Sequence, residues 1–166
     1  MITRLMPKFK VLEPSNLTGL RNGHVLAQMP VAADITVKTV GEHKFIENGL
    51  FVGLNAEGKI TNLDDATSKQ VFVHFDEELS TILDAACYYA TPVEESEETY
   101  IRAVAMYVGD TVVTDNYTGE LTTAKYAKVV DGVATLQTAA DESSLFIAKA
   151  TTLPTGEAAV ELMLYK

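Results

Sequence analysis

Turn-forming residues interrupt this chain at intervals of about ten residues, a spacing that suits short strands joined by tight turns and excludes long helices. The clearest instance is Tyr126-Ala127-Lys128-Val129-Val130, then Asp131-Gly132, then Val133-Ala134-Thr135-Leu136. An Asp-Gly pair between two strand-like runs specifies a two-residue hairpin, because both central residues of a type I′ turn take positive φ. Asn48-Gly49, ahead of Leu50-Phe51-Val52-Gly53-Leu54, carries the same signal. Gly58 suits a left-handed position in the longer turn that leads into Lys59-Ile60-Thr61.

Further strand signals follow from period-two alternation and from β-branched or aromatic runs. Residues 34–40 alternate in and out. Phe45-Ile46, Val71-Phe72-Val73-His74-Phe75, residues 100–108, Thr111-Val112-Val113-Thr114, residues 145–150 and residues 158–165 read as strands. Gly109-Asp110, residues 117–120 and Leu153-Pro154-Thr155-Gly156 read as turns. One stretch, residues 76–86, suits a helix, with Asp76 as N-cap and Leu79, Ile82 and Leu83 on one face. The expected fold is mainly β: a sandwich or barrel of short antiparallel strands, with an irregular N-terminal arm and at most one or two short helices.

Residues 1–32 differ from the rest. Pro7, Pro14, Gly19, Gly23 and Pro30 leave no room there for a long element, yet Leu5, Met6, Phe9, Leu12 and other apolar residues must pack on something. The options are the body of the same domain or a neighbouring subunit. The expected organisation is an extended arm over residues 1–32 and a β-rich domain over residues 33–166, with Leu5, Met6, Phe9 and Leu12 as anchors on a partner.

A chain of 166 residues with 47 % hydrophobic composition can bury a core without disulfide or metal staples. The net charge of −10 repels phosphate backbones and argues against nucleic acid as a partner. No stretch approaches the roughly 20 apolar residues of a membrane helix, and the N-terminal sequence has no apolar run of signal-peptide length. A soluble protein made in the cytoplasm is expected. Cys87, the single cysteine, can form no intrachain disulfide; flanked by Ala85, Ala86, Tyr88 and Tyr89, it reads as a small buried thiol.

The chemistry-bearing residues do not form a recognised apparatus. His24, His43 and His74 are the only histidines; no pair has metal-ligand spacing, and each reads as a loop or strand-surface residue. There is no nucleophile elbow, phosphate loop or dinucleotide fingerprint. The acidic run Glu94-Glu95-Ser96-Glu97-Glu98 lacks the spacing and glycine of a calcium loop and reads as a solvated loop. The seven tyrosines lie mostly in strand runs and suit cross-strand packing. The expectation is no catalytic, cofactor or metal site. The alternatives are an enzyme using paired carboxylates and a carbohydrate-binding module; the absence of Trp speaks against a sugar cleft.

The apolar, Pro/Gly-punctuated N-terminal arm, the segment Asn48-Gly49-Leu50-Phe51-Val52-Gly53-Leu54-Asn55, the Thr/Ala/Val-rich body and the strand at the C-terminal end together give the chain a particular character. It resembles the small virion structural proteins of tailed bacteriophages, in particular capsid decoration (cement) proteins. Residues 33–61 carry most of that likeness, and residues 100–136 add similar β texture. The resemblance implies a non-enzymatic virion protein, made in the host cytoplasm and often trimeric. It would dock on the major capsid protein at the outside of the expanded shell and stabilise it. A neck, tail or head-fibre component is the related alternative.

Overall fold

The computed structural model describes residues 9–75, 90–93 and 97–166, and among them strands dominate. A seven-stranded sheet has the order β1 (Leu12–Asn16), β10 (Thr111–Thr114), β15 (Ala158–Leu164), β14 (Phe146–Thr152), β12 (Tyr126–Val130), β13 (Val133–Gln137) and β11 (Tyr117–Thr118). A five-stranded sheet has the order β2 (Val25–Pro30), β9 (Tyr100–Ala105), β7 (Phe72–His74), β5 (Phe51–Leu54) and β6 (Ile60–Asn62). A small sheet sets β4 (His43–Glu47) between β3 (Lys38–Val40) and β8 (Ala90–Val93). Neighbours are antiparallel apart from β11 beside β13. Among the described residues the helical pieces are a single turn, α1 (Thr18–Arg21), and a 3-10 turn at Leu63–Asp65.

The five-stranded sheet is buried on both faces, and its alternation shows how. Phe51, Val73 and Val104 stand in one cross-strand row; Val52, Phe72 and Ala105 stand in the next. The first row packs on Val112, Ala127, Phe146, Val160 and Leu162 of the seven-stranded sheet, which makes a sandwich core. Phe51 and Phe146 meet there with ring centroids 4.6 Å apart. The second row joins Ile46 and Leu50 from the small sheet and the link that follows it, with Ile35, Ile60 and Ile101, in a second core. Just past β2, Val31 bridges Ile60, and the Ala32 N–H donates to the Ile60 carbonyl at 2.8 Å. The sheet's two outer strands therefore approach each other at that end without closing a barrel.

The Asp131-Gly132 hairpin forms as the sequence specifies, with φ of 50° and 73°. It also fastens the two sheets together. The Asp64 carboxylate accepts the Asp131 N–H at 2.8 Å and the Gly132 N–H at 3.0 Å. The Gly132 carbonyl accepts the Phe51 N–H at 2.7 Å, and the Asp131 carbonyl accepts the Thr36 hydroxyl at 2.7 Å. The hairpin between β5 and β6 likewise forms with Gly58 at φ 77°.

Several expectations need correction. Asn48-Gly49 does turn, with Gly49 at φ 81°, but it joins strands of different sheets rather than a hairpin pair. Its amide groups point inward: Gly49 N–H donates to His74 O at 3.0 Å, and Asn116 Nδ2 donates to Asn48 O at 3.0 Å. A Cβ on Gly49 would lie 2.6 Å from Thr114 Oγ1, so the corner requires glycine twice over. In the expected strand over residues 34–40, only the last three residues pair. Ile35 is buried, but the Thr36 N–H goes to Asn62 Oδ1 at 3.1 Å instead of to a ladder. A hairpin at Gly41-Glu42, with Val40 opposite His43, was not anticipated; Gly41 at φ 63° supplies its first central residue. The boundary at residue 32 is not observed either, because β1 and β2 are strands of the two main sheets. The helix expected over residues 76–86 lies outside the described residues.

Phe51 is fully buried between the sheets. Phe51→Ala is expected to lower unfolding free energy by about 3–5 kcal/mol in urea denaturation. Ile147→Ala, at a side chain 40 % exposed, should change it by no more than about 0.5 kcal/mol. Asp64→Ala leaves two hairpin N–H groups without their carboxylate and should cost about 1.5–3 kcal/mol by the same measurement.

Candidate interaction surfaces

Two of the four residues expected to anchor a partner are used internally. Phe9 is buried, with its ring centroid 4.9 Å from that of Phe45 and the Lys38 ammonium 5.3 Å above it. Leu12 is buried in the sandwich core. The backbone between them is held by carboxylates: Glu47 accepts the Lys10 N–H at 2.9 Å, and Asp115 accepts the Val11 N–H at 2.7 Å. Lys10 Nζ reaches the Asp115 carbonyl at 2.8 Å, and the Thr114 hydroxyl donates to Val11 O at 2.7 Å. The apolar residues of this segment thus belong to the chain's own domain. Leu5 and Met6 lie outside the described residues, as do Cys87 and most of the acidic run.

The histidines separate into three environments. His43 is exposed beside the Gly41-Glu42 turn. His24 has Nδ1 at 2.5 Å from the Tyr107 hydroxyl. His74, expected at the surface, is fully buried in the middle strand of the five-stranded sheet, with Nδ1 at 2.7 Å from Arg102 O. A His in a run as apolar as Val71-Phe72-Val73-His74-Phe75 shares that run's burial, since all five residues are covered.

The buried acids Asp110 and Asp115 are spent on backbone. Asp110 accepts the N–H groups of Thr18 at 2.9 Å and Tyr107 at 3.0 Å, and the Thr18 hydroxyl at 2.5 Å. It fastens the start of α1 to the turn between β9 and β10. Among the described residues no three His, Cys, Asp or Glu side chains converge to hold a metal, and no helix is long and apolar enough to cross a membrane. The exposed Asp141 carboxyl is held well below the usual carboxylate range, first by the Ser143 hydroxyl and then by Gln137. A folded-state value below the unfolded one means that these hydrogen bonds favour the folded loop while the carboxyl is ionised. The contribution is lost only as pH falls below the ordinary aspartate range.

Two surface features remain. An open groove of about 380 Å³ runs over Ala105, between His24 and Leu26 on one side and Gln70 and Phe72 on the other, with Tyr107 at its end. The second is the outer face of the seven-stranded sheet. Inward residues of β15 and β14, such as Leu162 and Phe146, fill the core, so their neighbours Met163 and Ile147 point out. Register continues the row: Thr111 lies opposite Met163, Met163 opposite Ile147, and Ile147 opposite Tyr126. Tyr165 packs on Tyr126 with centroids 6.2 Å apart. Glu161 and Lys149 face each other one row along. This apolar strip was legible in the alternation of residues 158–165, but its continuation into β14 and β12 depends on register.

Comparison with protein-family models, curated proteins and solved structures finds no match.

Asp115→Ala frees the Val11 amide while leaving the core side chains in place. Amide exchange at Val11 should accelerate, and stability should fall by about 1.5–3 kcal/mol in urea denaturation.

Proposed function

We propose that this chain is a non-enzymatic virion structural protein, a capsid decoration protein that binds the major capsid protein on the outer shell as a homo-oligomer. The observation that carries this reading is the solvent-facing row Tyr126, Ile147 and Met163, with Tyr165 beside it, on a sheet whose other face is packed solid. Apolar and aromatic side chains aligned on the outer face of a sheet suit a protein that works by docking. A modest contact of this kind, repeated on a closed shell, gives large collective stabilisation through symmetry and multivalency. The acidic balance of the chain suits an outer layer that keeps particles apart in solution.

The first eight residues add a second contact. They carry Arg4, Leu5, Met6 and Lys8, a basic and apolar set on an otherwise acidic chain. They precede Phe9, whose ring is fixed against Phe45 in the central strand of the small sheet. In this reading Leu5 and Met6 stay as partner anchors, while Phe9 and Leu12 are released from that role.

The test is co-sedimentation with expanded shells of the major capsid protein from the same genome. The wild-type chain should travel with the shells. Ile147→Glu with Met163→Glu, and separately removal of residues 1–8, should each weaken binding without loss of the β circular-dichroism signal. A wild-type chain that stays at the top of the gradient would sink the proposal.

A further inference from the structure

The described strand edges are mostly guarded against pairing with another chain. In β1 the guard is Pro14 and a register shift; β11 has two residues. In β2 there is a register shift and a terminal Pro30, and its continuation is bridged to β6. The strand β3 has three residues, and β8 contains Pro92. Prolines, irregularities and short length are the usual protections of an edge.

The second half of β14 has none of them. On one side β14 pairs with β15 along its whole length, from Phe146 opposite Leu164 to Thr152 opposite Ala158. On the other side it pairs with β12 only at Phe146 and Ile147. The ladder then stops, because Lys125 gives its N–H to Gln137 O at 2.9 Å, and Leu121 and Ala124 turn in against the core. The Ala148 N–H still reaches Lys125 O at 2.9 Å, which sets the parity: even-numbered residues direct their backbone groups to this side. Among the described residues, the N–H and C=O of Ala150 and Thr152 and the C=O of Ala148 therefore face outward without a strand partner. The segment Ala148-Lys149-Ala150-Thr151-Thr152 is small and β-branched, and its last four residues are exposed or half-buried.

We propose that this half-edge pairs with the same half-edge of a second copy, antiparallel, across a two-fold axis at Ala150. The self-complementarity is specific. Ala150 faces Ala150 as a hydrogen-bonded pair, and each Thr152 N–H meets the Ala148 C=O of the partner. On the outer face each Lys149 lies opposite Thr151 of the partner subunit. Lysine never faces lysine directly, and each Lys149 keeps its own Glu161 across the existing ladder. The inner side presents only Ala148, Ala150 and Thr152, which allow close approach. Such an isologous contact makes a two-fold pair rather than the three-fold assembly implied by the resemblance to decoration proteins. It uses an edge, not the Ile147–Met163 face, so loss of the dimer and loss of capsid binding are read by separate variants.

Sedimentation equilibrium of the full chain over a concentration series reads the oligomer directly, and a monomer–dimer equilibrium is expected. Ala150→Pro removes an outward N–H that has no partner among the described residues, so the fold should persist while the dimer is lost. Ala150→Cys in a Cys87→Ser background should form an intersubunit disulfide on mild oxidation, since a hydrogen-bonded antiparallel pair sets Cα atoms about 5.5 Å apart. A wild-type monomer or trimer, or a dimer that persists in a folded Ala150→Pro variant, overturns the proposal. If Ala150→Pro fails to fold, the cross-link decides: its absence from Ala150→Cys in a dimeric sample overturns it equally.

Discussion

The carboxylate of Asp64 holding the backbone of Asp131 and Gly132 is the joint on which the two main sheets depend. A two-residue turn normally projects into water with its amides solvated. Here both amides are bonded to one side chain, and the two carbonyls accept from Phe51 and Thr36. The hairpin of the seven-stranded sheet thereby becomes part of the five-stranded sheet's margin. That places Phe51 against Phe146 and fixes how the layers are stacked. Gly132 is tightly confined, since an added Cβ would come within 2.8 Å of Asn62 Oδ1.

Side-chain capture of backbone recurs throughout the molecule. Asp110 takes the start of α1, Asp115 and Glu47 take the segment after Phe9, and Asn62 takes Thr36. In each case an irregular stretch is fixed by a carboxylate or amide rather than by a ladder. A chain with abundant short polar side chains can in this way use many non-repetitive connections without leaving buried N–H groups unpaired.

That habit also explains what the sequence made legible. The Asp131-Gly132 hairpin, the turn at Gly58, the strands after residue 100 and the mainly β sandwich are written in local chemistry, in turn residues and alternation. Whether Asn48-Gly49 closes a hairpin or crosses between sheets is decided by Thr114, Asn116 and His74, all distant in sequence. The Asp34-Ile35-Thr36-Val37 alternation was real in its burial at Ile35, but its backbone bonds went elsewhere. For the candidate surface, Met163 and Tyr165 could be read as outward from their own strand. Their neighbours Ile147 and Tyr126 could not, because cross-strand register is not a local property. Phe9 and Leu12 were recognised as residues needing a partner, and the partner proved to be the chain itself.

The strand order has a consequence for how the polypeptide reaches this state as it is made. Residue 12 is laid beside residue 114, which lies beside residue 160, and the turn at residue 131 closes against residues 36, 51 and 64. The five-stranded sheet is complete once residue 105 is made, but its face toward the seven-stranded sheet stays uncovered until strands β10 to β15 follow. Distant pairings of this kind make acquisition of the native state slow and strongly all-or-none, with apolar strands uncovered in the meantime. The growing chain is therefore most exposed to misassociation between the completion of β9 and the arrival of β15.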